Sequence, residues 1–298
     1  MRRLLIIGCG DVALRTVARL LPAFHIYALT RSPARAQDLR CLGITPIVGD
    51  LDYPESLTKL AGLAHCVMHF APPQNSGEID RRTHRLLAAL DKGEMLPQRL
   101  VYISTTGVYG HCAGSWVDET HRTQPATPRA KRRLSAESQL REWGIRRGIT
   151  VSILRVPGIY AQNRLPLHRL KNGTPTLIAA EDSYTNHVHA EDLARMAAAA
   201  IYRGKPGRVY NAADDSNIKM GDWFDLLATR HNLPKPKRIT RAEAQTQLPE
   251  NLLSFLNESR RVSNQRMKRE LRVKLTYPDV DAGTRTVGKS SSTPIILI

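Results

Sequence analysis

The opening of the chain constrains the fold more than any other stretch. Arg3 to Gly8 (RLLIIG) is a short apolar run stopped by glycine, and Val12 to Leu21 follows with apolar residues at helical spacing. The chain therefore begins as strand, tight turn, helix. Between the two elements Gly8-Cys9-Gly10-Asp11-Val12-Ala13 reads G-x-G-x-x-A, the spacing of a dinucleotide-binding turn in the context that turn requires. Gly8 permits the tight bend and Gly10 lets the backbone approach a pyrophosphate. Ala13 lets the helix pack closely on the strand while its N-terminus, with Asp11 and Val12, faces the anion. The alternative is a glycine turn of structural purpose only.

The pattern then repeats. Strands are predicted at His25 to Thr30, Thr45 to Val48, Cys66 to Phe70, Arg99 to Ser104 and Thr150 to Leu154, with helices at Pro33 to Cys41, Ile79 to Leu90 and Thr127 to Arg147. Such alternation predicts an α/β fold, a Rossmann-type doubly wound parallel sheet with both faces covered. Right-handed crossovers put the C-terminal ends of all strands on one edge, where open α/β sheets bind ligands. After Arg155 glycine and proline interrupt shorter elements, among them a helix at Ala190 to Tyr202, a strand at Arg208 to Asn211 and a helix at Met220 to Arg230. The expected division is a dinucleotide-binding domain over 1–155 and a smaller substrate lobe over 156–282, interleaved with the Rossmann core. Residues 283–298, rich in Gly, Ser and Thr, are expected to form a disordered tail.

The 298 residues, 42% hydrophobic and 24% charged, suffice for one substantial core. No run reaches the roughly 20 apolar residues that span a bilayer, and Met1-Arg2-Arg3 leads straight into a strand-like segment. The expectation is a cytoplasmic protein. Cys9, Cys41, Cys66 and Cys112 contain no C-x-x-C pair, so neither a metal site nor a disulfide framework is expected. The net charge of +17 is concentrated at Arg129 to Arg147 and Arg260 to Lys274. Solvated helix faces or a phosphate-bearing substrate account for these runs. No helix-turn-helix, zinc or RNP-like signature points to nucleic acid. Oligomeric state stays open, since paired copies of the first basic helix would repel.

An NAD-binding turn of this kind has an acidic residue at the end of the second strand. Here that strand ends Leu29-Thr30-Arg31-Ser32. Arg31 can pair with a 2′-phosphate and Ser32 can donate to it, which predicts NADP rather than NAD. The alternative is an exposed arginine at a strand end.

Several further stretches resemble the extended short-chain dehydrogenase/reductase superfamily, of the NAD-dependent epimerase/dehydratase type, to about Asp281. Gly49-Asp50-Leu51 looks like its adenine-contacting G-D-L, and Phe70-Ala71-Pro72 like the fourth-strand end beside the cofactor. Ile103-Ser104-Thr105-Thr106-Gly107-Val108-Tyr109-Gly110 places Thr105 where that family has its catalytic Ser or Thr. Leu154 to Tyr160, with Pro157, and Asn186 to Ala194 resemble the segments flanking nicotinamide and substrate. The catalytic Y-x-x-x-K is absent: register puts Arg129 at the Tyr place and Arg133 at the Lys place, just before Ala136-Glu137. Arginine cannot act as the base, because its pKa exceeds about 12. The closer resemblance is thus to atypical members, including the YeeZ-like group.

His187, His189 and Asp192 could be drawn as metal ligands, but the resemblance places them at the cleft and a helix N-terminus, and either histidine is a candidate for the missing acid/base. Asn257 to Asn264 is expected to begin a helix capped by Ser263 or Asn264, with Arg260 and Arg261 available to a substrate phosphate. Two functions follow from these residues. One is an NADP-dependent, epimerase/dehydratase-like oxidoreductase acting on a polar small molecule, conceivably a nucleotide-linked sugar. The other is a dinucleotide-binding sensor without turnover.

Overall fold

The computed structural model describes residues 1–285. In chain order the first elements are β1 (Arg2–Ile7), α1 (Asp11–Leu20), β2 (Phe24–Thr30), α2 (Pro33–Cys41), β3 (Thr45–Val48), β4 (Cys66–His69), α3 (Arg81–Leu90), β5 (Arg99–Thr105), β6 (Trp116–Val117), α4 (Pro128–Arg147), β7 (Thr150–Val156) and β8 (Gly158–Tyr160). They are followed by α5 (Leu167–Lys171), β9 (Thr176–Leu177), β10 (Tyr184–Thr185), β11 (His187–His189), α6 (Ala190–Arg203), β12 (Arg208–Asn211), β13 (Ile218–Lys219), α7 (Met220–Arg230), β14 (Arg238–Ile239), α8 (Arg241–Gln247), α9 (Glu250–Leu256), β15 (Arg261–Val262) and α10 (Val280–Thr284).

Seven strands form a parallel sheet in the order β12-β7-β5-β4-β1-β2-β3. The chain reverses direction across the sheet at β1, which pairs with both β2 and β4. Ile7 lies level with Leu29 and with His69, so three strand ends meet at the switch point, where a crevice forms. The continuous run Leu4-Leu5-Ile6-Ile7 follows from burial on both faces. Leu4 and Ile6 pack with Val17 of α1 and Met196 and Ala197 of α6. Leu5 and Ile7 pack with Leu86 of α3 and Leu140 and Trp143 of α4.

Helix α4 is set by its ends. The Thr127 hydroxyl accepts from Ala130 N at 3.2 Å, Pro128 starts the helix, and Gly148 takes the left-handed conformation (φ 67°) that closes it. Residues beyond 155 also build the sheet: β12 pairs with β7, and α6 packs on α1. The rest forms a lobe of two-stranded ribbons around Tyr160, Trp223, Phe224 and Val280, with a second cluster at Leu177, Ile239, Ala244 and Leu256.

Two expectations are corrected. The stretch Asn257 to Asn264 is not itself helical, because Arg261 and Val262 pair in parallel with Trp116 and Val117; the expected helix follows directly, from residue 265. The Asn264 amide donates to Ala213 O, Asp214 O and Asp215 Oδ1 and makes no side-chain cap, although its main-chain carbonyl accepts from Lys268 N at 3.1 Å; the basic segment is helical over 265–271, with a π-turn at Met267–Leu271. Gly283 and Thr284, assigned by composition to the tail, close α10 and are buried. Arg285 follows as an exposed residue, and 286–298 lie outside the described residues. Among the described residues no helix is long and apolar enough to cross a membrane.

Candidate dinucleotide and substrate site

The glycine turn separates two reasons for glycine. Gly8 has φ 87°, and a Cβ there would stand 2.5 Å from Ala71 N. That nitrogen and Phe70 N both donate to Ile7 O, at 2.9 and 2.8 Å, so the protein itself enforces glycine at position 8. Gly10 has φ −91° and is exposed, and an added Cβ would meet nothing within 4 Å. Neither backbone nor neighbour demands glycine there, whereas a pyrophosphate lying against the backbone would. Helix α1 starts at the next residue with no side-chain cap, leaving its first-turn N–H groups without an intrahelical acceptor. Val12 and Ala13 are buried against the sheet. The Asp11 carboxylate accepts from Arg15 at 3.0 Å and Arg164 at 3.1 Å, so the acid beside the turn is neutralised. These features fit a bound dinucleotide.

Along the ends of β2 and β3 lies an open depression of about 760 Å³ lined by Thr30, Arg31, Ser32, Ala34, Arg35, Asp38 and Asp50. Arg31 is exposed, and among the described residues no carboxylate lies within 4.0 Å of its guanidinium. The Ser32 hydroxyl accepts from Arg35 N at 3.3 Å as the cap of α2, which leaves its proton free to donate. Asp50 Oδ1 accepts from Asp52 N at 2.9 Å, and Leu51 is buried beside it. Hydrogen bonds from Arg82 hold the Asp52 carboxyl below its ordinary range.

Across the switch point, Phe70 is half-buried, Ala71 buried and Pro72 exposed. The Thr105 hydroxyl, half-buried at the end of β5, accepts from Gly107 N at 3.2 Å and caps the 3₁₀ turn Thr106–Tyr109. Thr105 is level with Val156 of β7, so Pro157 follows directly beside it. Ser104, one residue earlier, is committed elsewhere: its hydroxyl donates to Glu137 Oε1 at 2.6 Å.

At the Lys place, Arg133 is buried and donates from Nη1 to Ile103 O (2.6 Å) and the Tyr102 hydroxyl (3.1 Å). At the Tyr place, Arg129 is exposed. Partial desolvation lowers the Arg129 pKa, and the charges of Arg133 and Arg132 push it the same way. Tyr109 does not stand in for the missing tyrosine. Its hydroxyl donates to Asn211 Oδ1 at 2.7 Å, the Arg155 guanidinium covers its ring at 4.7 Å, and burial raises its pKa.

Both candidate histidines are buried among other side chains. Burial pushes His187 down to about 3 and lowers His189, whose Nδ1 accepts from Glu191 N at 3.2 Å to cap α6. Both rings pack edge-on against Tyr160, and Asp192 accepts from Thr276 N and Tyr277 N at 2.9 and 2.8 Å. Among the described residues no group of three His, Cys, Asp or Glu could hold a metal ion. Arg260 and Arg261 are spent within the chain, on Gly110 O (2.6 Å) and Gly114 O (2.7 Å). Sequence reasoning missed Arg15, Arg164 and Arg35 around the turn and the depression. Arg15, four residues after Asp11, and Arg35, three residues after Ser32, carried a local signal; Arg164 carried none.

Fold and glycine turn together define a Rossmann-type dinucleotide-binding protein. The chain belongs to the NAD(P)H-binding family, whose profile matches residues 8–203. GDP-6-deoxy-D-mannose reductase of Pseudomonas aeruginosa is 26% identical over 266 residues, covering 81% of this chain and 86% of that protein. An uncharacterized protein of Schizosaccharomyces pombe is 26% identical over 243 residues, covering 76% and 79%. A functionally unknown conserved protein from Silicibacter pomeroyi superposes with a TM-score of 0.77 at 28% identity, covering 95% of this chain and 97% of that one. UDP-glucuronic acid 4-epimerase from Bacillus cereus, in complex with UDP-glucuronic acid and NAD, gives 0.75 at 20% identity over 95% and 96%, a likeness of fold alone.

Proposed function

We propose that the protein binds NADP(H) in preference to NAD(H) and works as an epimerase/dehydratase-like oxidoreductase on a polar small molecule, with a nucleotide-linked sugar as the leading class. The observation that carries the cofactor choice is Arg31, exposed and without a carboxylate partner at the end of β2, where an NAD site has an acid. Gly8, Gly10 and the first turn of α1 with Asp11, Val12 and Ala13 would hold the pyrophosphate. Arg31 and Ser32 would take the 2′-phosphate, and Asp50 and Leu51 the adenine. Phe70, Ala71, Pro72 and Pro157 would flank the nicotinamide half. When bound, the cofactor supplies or accepts hydride. Thr105 hydrogen-bonds the reacting oxygen of the substrate, its half-buried hydroxyl keeping a proton to donate while it accepts from Gly107 N.

The test is calorimetric titration with NADPH, NADP, NADH and NAD, on the protein and on Arg31→Ala. The expected result is tighter binding of the phosphorylated pair, by at least tenfold, lost in the variant. Equal affinity for all four would overturn the NADP assignment.

A second reading, a redox-responsive binding protein without turnover, is favoured by one observation. Arginines occupy both the Tyr and the Lys places, so the usual proton carrier is missing. A sensor binds both redox forms and converts neither with any added sugar nucleotide, whereas the enzyme changes the 340 nm absorbance of NADPH or the substrate's stereochemistry.

A further inference from the structure

We propose that Arg129, Arg132 and Arg133 form a subsite for an anionic group of the substrate, a carboxylate or a phosphate, beside Thr105. The proposal rests on the NADP-dependent reading above and adds a substrate class to it.

Spacings of three and four residues put the three guanidinium-bearing side chains on one face of the first two turns of α4, with Cβ atoms about 5–6 Å apart. Local physics opposes this arrangement. Like charges at such spacing destabilise a helix, cations near a helix N-terminus oppose its dipole, and the first turn of α4 contains no acid to compensate. A conflict of this kind at a ligand edge signals function.

The face is aimed at that edge. Arg133 reaches Ile103 O near the end of β5, and Arg132 reaches Gly77 O, at 2.6 Å, in the segment that follows β4. The position a Gly107 Cβ would take is 3.4 Å from Thr105 Oγ1 and 3.8 Å from the Ala130 Cβ, so the helix start and the threonine share one small volume.

All the acceptors these arginines use are neutral. Elsewhere Arg15, Arg82, Arg155 and Arg238 each hold a carboxylate. Among the described residues none of Arg129, Arg132 and Arg133 has one within 4.0 Å, and the nearby acids are taken. Glu137 serves Arg155, Glu78 serves Lys131, and Asp80 caps α3. Arg132 and Arg133 are more than nine-tenths buried, and the Nε of each lacks an acceptor. Buried, positively charged donors with unused hydrogen-bonding capacity suit an anion that can be gripped by two oxygens. Arg129, exposed at the rim, is the residue an incoming anion meets first. Because arginine keeps its proton, the subsite holds and stabilises negative charge and does not relay protons.

The experiment titrates the full chain with NADPH by calorimetry, then, with NADPH saturating so that the 2′-phosphate position is filled, with inorganic phosphate, malonate and uncharged glycerol. Arg129→Gln is compared with Arg146→Gln, an equal charge change at the exposed far end of the same helix. The expected result is one anion bound per chain in the wild type and in Arg146→Gln, at least tenfold weaker binding in Arg129→Gln, partial recovery in Arg129→Lys, and no response to glycerol. Phosphate without malonate assigns a phosphate group, and the reverse a carboxylate. Equal anion affinity in the two Gln variants, or NADPH binding with no anion binding, overturns the subsite. Failure of NADPH to bind overturns the cofactor reading instead, and the malonate titration of the free protein still decides between the two Gln variants.

Discussion

Arg155 donates from Nε and Nη2 to the two oxygens of Glu137, at 3.1 and 2.8 Å, and both side chains are almost wholly buried. This pair ties α4, which carries the arginine face, to β7, which leads into Pro157. Glu137→Gln would leave the Arg155 charge buried with a neutral partner, so a loss of about 3–5 kcal/mol in stability is expected. The exposed pair between Lys131 of the same helix and Glu78 of the segment after β4 gives the contrast: Glu78→Gln should change stability by less than about 1 kcal/mol. Urea unfolding of both variants checks the difference, and equal effects would show that burial is not what makes the inner pair matter.

The two glycines of the turn should fail in different ways. Gly8→Ala puts a Cβ 2.5 Å from backbone in a left-handed conformation, so a lower melting temperature is expected. Gly10→Ala meets nothing in the chain and has an ordinary φ, so its melting temperature should stay close to wild type while NADPH affinity drops tenfold or more. A Gly10→Ala protein that binds NADPH unchanged would remove the pyrophosphate from that position.

The Rossmann half was legible because its signals are local. The glycine turn, the apolar run of β1 and the ends of α2 (Pro33–Cys41) and of β12 (Arg208–Asn211) were all readable at the positions observed. Around Asn257 to Asn264 the helix start after Asn264 is legible, but the short strand Arg261–Val262 is not, because its partner, Trp116 and Val117, lies far away in the chain and no local pattern announces it. The candidate site divided in the same way. Arg31 could be found by its strand end and Arg129 and Arg133 by register, but Arg164 reaches Asp11 only through tertiary packing across 153 positions.

Two buried histidines should make the fold acid-sensitive. Burial pushes His69 and His187 down to about 3, and the charge of Arg133 adds to the effect at His69. In the unfolded chain both titrate near about 6.5. As pH falls below that value the unfolded state takes up protons that the folded state refuses, so stability present above pH 6.5 is lost by about 1.4 kcal/mol per pH unit for each histidine. His187→Phe keeps a ring beside Tyr160 and Trp223 and removes one titration. Between pH 6.5 and 5 its stability should fall less steeply than that of the wild type, as measured by urea midpoints. An unchanged slope would mean that His187 takes up its proton in the folded protein too.

Gly283 reverses a familiar rule. Replacing a glycine inside a helix by alanine ordinarily stabilises by about 0.5–1 kcal/mol. A Cβ at position 283, however, would stand 2.2 Å from the Tyr160 Oη and 2.6 Å from its Cε2. The tyrosine has little room to retreat, since it is buried against Trp223 and His189 and its hydroxyl donates to Asp279 O at 3.0 Å. Overpacking of about 1–3 kcal/mol is therefore expected from Gly283→Ala. Adding Tyr160→Phe removes the closest contact but leaves the ring carbons, so the double variant should recover only part of the loss. Thermal unfolding of the single and double variants checks this, and a stabilised Gly283→Ala protein would show that α10 is not seated on Tyr160.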